Sequence, residues 1–333
     1  MEEFKVQEVF TKFSNMRALV VGDAMVDSYL WGCVDRISAE APVPIVTVQQ
    51  REDRIGGAGN VSLNLQSLGA TPVLVSLVGN DLKGDNFMQL LREKGLSGTG
   101  ILRLDNRQTT VKTRVMSGKK QVLRVDEEVT EEIDSEVEKL VYQRIEQLIN
   151  SQKFDLVMFI DYDKGMITSS LIDKIICLAQ TKKLLIAVDP KKRNFNNYSG
   201  VHLFKPNFKE FKEGQGVPVE KDNIPGLLEA AEAFRKSSKQ GMIFVTLSDS
   251  GVIISNGQNQ DHFPAEVRDI ADVSGAGDTV IAVASLCMAA GMSSQFVAQL
   301  SNLAGGLVCE RSGVVPIDQE QLMREAQRME MAP

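Results

Sequence analysis

One pattern constrains this chain more than any other. Short runs rich in Val, Ile and Leu, each closed by Gly, Asp or Ser, alternate with amphipathic stretches of helical length. Arg17–Gly22, Thr71–Gly79, Phe154–Ile160, Leu184–Asp189 and Met242–Leu247 are predicted strands, and Gly84–Lys94, Asp134–Ser151, Thr168–Thr181 and Pro225–Ser238 are predicted helices. Strands apolar on both faces need cover on both faces, and helices between successive strands supply it. The pattern therefore predicts an α/β fold with a mostly parallel central sheet and helices on both faces. Ligands of such sheets bind beyond the carboxyl ends of the strands.

Two segments depart from this rhythm. Val43–Arg54 and Thr109–Asp126 alternate with period two, and the second turns at Ser117-Gly118-Lys119, which predicts a hairpin. We read them as excursions, at about 33–54 and 107–126, that form a small β-sheet standing off the main body as a lid or a dimer contact. No Pro/Gly/Ser-rich linker isolates them, so residues 1–333 are read as a single domain.

Composition removes several function classes. Lys and Arg number 37 against 44 Asp and Glu, a net charge of −7 that suits neither nucleic acid nor an anionic membrane as partner. His202 and His262 lie far apart and without metal-ligand spacing, which argues against a histidine zinc site and a Ser-His-Asp hydrolase. Cys33, Cys177, Cys287 and Cys309 form no Cys-x-x-Cys pair and are expected reduced, in a cytoplasmic protein. The opening MEEFKVQEVFTKF is charged and amphipathic, unlike a signal peptide. Thr279–Cys309 carries no charge, but its Ser, Gln, Asn and Gly residues read as two buried helices with a turn near Gly291–Ser294, and not as a membrane span.

No Gly-x-x-x-x-Gly-Lys-Ser/Thr phosphate loop occurs. Gly57-Ala58-Gly59 begins a dinucleotide-like run, but Ser62 takes the third glycine position. Four other segments can carry chemistry. In Asp272–Thr279 (DVSGAGDT), the small residues Gly275, Ala276 and Gly277 let a group approach unpaired N–H groups at a helix start, an anion site. Asp278 beside them is either a general base for an attacking hydroxyl or a first-turn acid that complements the helix dipole. Gly56-Gly57-Ala58-Gly59-Asn60 is either a cradle for a polar ligand or an ordinary glycine-rich turn. Val20–Asp27 ends a strand at Gly22-Asp23 and leaves Asp27 at the carboxyl edge of the sheet, as a sugar-hydroxyl acceptor or a loop acid. Asn207 and Glu210, on one helical face, either hold Mg²⁺ through waters or merely start a helix.

In this order the four segments resemble the ribokinase-like (PfkB) family of carbohydrate kinases. The Gly-Asn segment and Asp-x-x-Gly-Ala-Gly-Asp look like its two signatures, and the match runs over essentially the whole chain. The resemblance implies ATP-dependent phosphoryl transfer to a sugar hydroxyl. It makes Asp278 the base and the backbone of Gly275, Ala276 and Gly277 the hole for the transferring group. It gives Asp27, Gly56, Gly57 and Asn60 to the sugar, and Asn207 and Glu210 to Mg²⁺ and the ATP phosphates. Thr246, Ser248, Gly251 and Asn302 would line the nucleotide, and Asp272 with the Ser274 carbonyl resembles the monovalent-cation (K⁺) site of some members.

A narrower resemblance adds the substrate. Arg36–Pro44 (RISAEAPVP), Thr110–Arg114 with Val122–Asp126, Asp161–Gly165 (DYDKG) and Asp189-Pro190-Lys191 are similar to bacterial heptose 7-phosphate kinases, which supply ADP-heptose synthesis for lipopolysaccharide. Ala39, Asp163 and Ser274 depart from that pattern without removing a catalytic group. Some such kinases are fused to a nucleotidyltransferase domain. The sequence stops at Pro333, soon after the last kinase helix, and no such domain is expected within it. A phosphorylated acceptor needs cations, and Lys112, Arg114, Arg124, Lys164 and Lys191 are the candidates, with Lys112 and Arg114 on one strand face. Two other readings remain: a kinase of another sugar or sugar phosphate (fructose 1-phosphate, a pentose), and a catalytically idle sugar or nucleotide sensor. An intact Asp278, Asn207 and Glu210 argue against the sensor. The expected partners are ATP, a sugar phosphate and a second copy of the chain through the small sheet, with no nucleic acid and no membrane.

Overall fold

The computed structural model describes residues 6–118, 120–216 and 218–333. Nine strands form the large sheet, in the order Gln260–Phe263, Val252–Ser255, Met242–Thr246, Leu203–Phe204, Leu185–Asp189, Leu156–Ile160, Arg17–Gly22, Thr71–Gly79 and Ile101–Leu104. Val252–Ser255 pairs antiparallel with both of its neighbours, Gln260–Phe263 and Met242–Thr246, and every other pairing is parallel. The expected α/β architecture is thus observed, with an antiparallel edge that the sequence reading did not contain.

Alternate side chains explain why the central strands are apolar throughout. Ala18 and Val20 enter the core on one face, with helices Ala58–Ser67, Ala276–Ala289 and Ser294–Cys309. Leu19 and Val21 enter the core on the other, with Ser135–Ser151, Ser169–Thr181 and Ile224–Ser237. Each fully buried aliphatic side chain of this kind contributes about 1.5–3 kcal/mol. The uncharged stretch forms the two core helices expected of it, and no helix among the described residues is long and apolar enough to cross a membrane. Helix Leu82–Glu93 starts before its predicted first residue because the Asp81 carboxylate caps it, accepting the Gly84 N–H at 2.7 Å.

The second sheet has four strands, in the order Pro44–Gly57, Ala24–Ile37, Val111–Ser117 and Lys120–Glu127. Both predicted excursions are in it, and Lys119 of the expected turn lies outside the described residues. Ala24–Ile37 is new, and it corrects the placement of Asp27. The chain does not end its first strand and leave Asp27 on a loop. It passes through Asp23 into a 14-residue strand, and Asp27 stands on that strand opposite Lys112. The small sheet accordingly begins near residue 24, not 33.

Candidate active site

The carboxyl ends of Leu185–Asp189, Leu203–Phe204 and Met242–Thr246 open onto a cavity of about 1060 Å³. Across it stands the N-terminus of helix Ala276–Ala289. Gly275 caps that helix at φ 82°, a left-handed conformation that favours glycine, and a Cβ there would meet Asn60 Nδ2 at 2.9 Å. The turn therefore needs glycine, and the N–H groups that follow it face the cavity with the positive end of the helix dipole.

Asp278 is 4% exposed and takes a hydrogen bond on each carboxylate oxygen. Asn60 Nδ2 donates to Oδ2 at 2.8 Å, and the Tyr162 hydroxyl donates to Oδ1 at 2.5 Å. Burial pushes the Asp278 carboxyl up to about 6, against these two bonds, which favour the charged form. The helix carrying Asn60 is held to the Asp278 helix one turn further on, where the Thr279 hydroxyl donates to Asn64 Oδ1 at 2.9 Å. Asn60 and Asp278 are 218 residues apart in sequence, and two adjacent core helices make them neighbours.

Gly275, Ala276, Gly277, Asp278, Lys191, Asn207, Glu210, Thr246, Ser248, Gly251 and Asn302 all line the one cavity. Asn207 and Glu210 form a reciprocal capping box. The Asn207 side chain accepts the Glu210 N–H at 2.9 Å, and Glu210 accepts the Asn207 N–H at 2.8 Å. The helix-start reading of this pair therefore holds structurally, and Glu210 also pairs with Lys191. Asp272 joins two loops, accepting the Ser274 N–H at 2.9 Å and the Gly313 N–H at 3.1 Å.

The candidate sugar residues lie under the small sheet. Asp27 is buried, pairs with Arg114 and comes so close to Gly56 that a Cβ there would clash with its carboxylate. Gly57 ends the strand beside it and caps the helix that carries Asn60. The five cations do not stand unpaired, as a bare phosphate site would have them. Lys112 lies 3.2 Å from both Asp126 and Glu128, Lys164 lies 2.8 Å from Glu128, and Arg124 lies 2.8 Å from Asp126. Arg124 and Asp126 are two residues apart on one strand, but sequence order could not show the Lys164–Glu128 and Arg114–Asp27 pairs, because tertiary contacts bring those partners together.

Three residues of the site were given no role from sequence. Lys205 follows strand Leu203–Phe204, is 2% exposed, and sits 3.0 Å from Asp189 Oδ2. A Cβ on Gly277 would lie 3.8 Å from its ammonium, so a fixed positive charge stands beside the helix N-terminus. Asp189 itself keeps Oδ1 buried without a hydrogen-bond partner. Tyr162 is the third. The available signal was position alone: all three stand at or just past the carboxyl ends of parallel strands.

The pfkB family of carbohydrate kinases matches residues 16–321. The chain belongs to this family. It is a phosphotransferase with an alcohol acceptor, and kinases of the family use ATP. The kinase is 34% identical to the bifunctional protein HldE of Geobacter sulfurreducens over 97% of its own length, and 38% identical to that of Desulfatibacillum aliphaticivorans over 96%. It spans about 65% of the length of each of these relatives. Among solved structures, phosphofructokinase-2 from Escherichia coli in complex with potassium superposes with a TM-score of 0.77 at 16% identity, covering 95% of the kinase and 99% of that chain. Arabidopsis thaliana ribokinase complexed with ribose and ATP gives 0.71 at 16% identity, covering 93% and 99%. At that identity the structural likeness speaks for the fold.

Proposed function

We propose that this kinase transfers the γ-phosphate of ATP to a sugar that already carries a phosphate, and that the acceptor is the 1-hydroxyl of D-glycero-D-manno-heptose 7-phosphate. The observation that carries phosphoryl transfer is Asp278, a buried carboxylate at the start of a helix whose N–H groups face the same cavity. The heptose follows from the Arg36–Pro44 stretch and from relatives named HldE at 34–38% identity over nearly the whole chain. The whole chain acts as one kinase domain.

Asp278 removes the proton from the acceptor hydroxyl as its oxygen bonds to the γ-phosphorus, the β–γ phosphoanhydride bond breaks, and ADP leaves. The N–H groups of Gly275, Ala276 and Gly277, with Lys205 beside them, oppose the negative charge on the transferring group. Gly56, Gly57 and Asn60 shape the sugar side with Asp27, and Thr246, Ser248, Gly251 and Asn302 line the nucleotide side. The donor set fits a divalent cation: Asp189 Oδ1 is a buried carboxylate oxygen without a hydrogen bond, 3.9 Å from the Lys191 ammonium, in the same cavity as Asn207 and Glu210. These three residues would hold Mg²⁺, which when bound neutralises phosphate charge. Asp272 and the Ser274 carbonyl, on loops tied together through Gly313, would hold K⁺.

The distal phosphate is assigned to the cations under the small sheet. Lys112 and Lys164 converge on Glu128 Oε2, at 3.2 and 2.8 Å; each ammonium has three donors, so pairing with two acids for Lys112 and one for Lys164 does not exhaust them. Arg114 is held by Asp27, and Lys191 by Glu210 at the cavity wall. Each charge-assisted bond to phosphate contributes about 1.5–3 kcal/mol. Heptose 7-phosphate is therefore expected to exceed free heptose in kcat/KM by about two or more orders of magnitude. A coupled ADP-release assay over sugars and sugar phosphates tests this, and equal kcat/KM for the two would leave a plain sugar kinase.

The small sheet acts as lid and dimer surface in this reading. Leu123 and Val125 stand in register with Val115 and Thr113, so they share the face opposite Asp27 and Arg114 and are exposed there. Ile37 and Val43 are exposed at its tip. Exposed apolar strand faces of this kind seek a partner. Sedimentation should show a dimer at tens of micromolar or below, by the usual size of such interfaces. A strict monomer would remove that half of the proposal.

A further inference from the structure

The two hydrogen bonds on Asp278 differ in kind. Asn60 offers an amide, whereas Tyr162 offers a hydroxyl, the donor that an acceptor sugar must present to a base. Tyr162 is fixed from behind. Its main-chain N–H donates to the buried Asp23 Oδ2 at 2.9 Å, and its ring lies 5.3 Å from the Lys191 ammonium. We propose that Tyr162 is a positioning residue for the base: its hydroxyl holds Asp278 Oδ1 charged and aimed until the acceptor hydroxyl takes its place. The inference rests on the reading of Asp278 as the base.

The electrostatics of the site agree with this exchange. Asp189 opposes the Asp278 charge and Lys205 favours it, while the hydrogen bonds from Tyr162 and Asn60 do most to offset burial. Burial, then the neighbouring carboxylates Asp278, Asp189 and Asp27, push the Tyr162 hydroxyl well above its ordinary value. Tyr162 therefore stays a donor across the working pH range and does not compete for the proton. Handing Asp278 from one hydroxyl to another keeps its carboxylate bonded throughout, so a buried charge never stands bare.

Tyr162→Phe tests the assignment, because phenylalanine keeps the ring and deletes only the donor. Losing one of two bonds to the charged form should move the acid limb of kcat/KM for heptose 7-phosphate to higher pH by about one unit, with KM for ATP unchanged. An acid limb that coincides with wild type overturns the proposal, since a tyrosine that only packs predicts that result. Difference infrared spectra against Asp278→Asn backgrounds read the same carboxyl titration without turnover. They separate a failure of the tyrosine's role from a failure of Asp278 as base. If the phenylalanine variant does not fold, resonance Raman of the four tyrosines in the wild-type protein reads the exchange directly. One tyrosine should lose its carboxylate-bonded signature when heptose 7-phosphate is added, and an unchanged spectrum under saturating sugar overturns the proposal.

Discussion

Asp278→Asn is expected to lower turnover by about 10²–10⁴-fold, the usual worth of a positioned general base, with ATP affinity close to wild type. The geometry makes the loss specific. Asparagine keeps an oxygen to accept from Tyr162 but cannot take the proton of an acceptor hydroxyl. The effect on stability has a definite sign. Asp278 titrates at about 6 in the fold against an ordinary 3.8, chiefly through burial. A carboxyl raised in this way stabilises the folded state while protonated, and that contribution is lost as the pH climbs from about 4 through 6. Asparagine suffers no such loss. The variant should therefore melt at or above the wild-type temperature at pH 8, and the two should converge in acid. A folded variant that keeps more than half of wild-type turnover would remove Asp278 from the role of base. The wild-type kcat/KM should itself fall as the pH drops through about 6.

Lys205→Met is expected to cost about 10²–10³-fold in kcat, the loss typical of one preorganised charge or donor at a transition state. Lys205 is 2% exposed and stands beside the N–H groups that follow Gly275, so its charge is little screened. Methionine matches the stem and removes the ammonium. It also strips Asp189 of its partner at 3.0 Å and leaves it only Lys191 at 3.9 Å, a loss of at most about 3–5 kcal/mol, the cost of breaking a buried pair. Melting temperature and turnover must therefore be read together. Adding Asp189→Asn should restore the melting temperature and leave turnover low. If folded Lys205→Met turned over within threefold of wild type, Lys205 would be a structural ion-pair residue and nothing more.

Much of the site was legible because its signals are local. Asp272–Thr279 holds, in eight consecutive residues, the glycine that permits the turn, the N–H groups that face the cavity and the carboxylate beside them. Helix starts at Asn207 and Asp134 were readable for the same reason, since a cap and the N–H it satisfies lie within three residues of each other. The central strands declared themselves by unbroken burial on two faces. Strand Ala24–Ile37 did not, because its burial runs from complete at the inner end to exposed at the outer end and its form depends on two partners supplied elsewhere in the chain.

The sequence by itself determined the α/β class, the order of the central strands and helices, the family and the identity of the carboxylate at the helix start. The class and the order rest on periodicity, the place of the carboxylate on contacts between near neighbours, and the family on the resemblance of Gly56–Asn60 and Asp272–Asp278 to its signatures. The tertiary structure alone decided that Arg114 pairs with Asp27 and Lys164 with Glu128, that Asp27 stands on the small sheet, and that Tyr162 and Lys205 meet the helix that carries Asp278. Arg114 and Asp27 are 87 residues apart, and Tyr162 and Asp278 are 116 apart. A hydrogen bond acts over about 3 Å, and only the packing of strands and helices around a common core brings such distant residues within that reach.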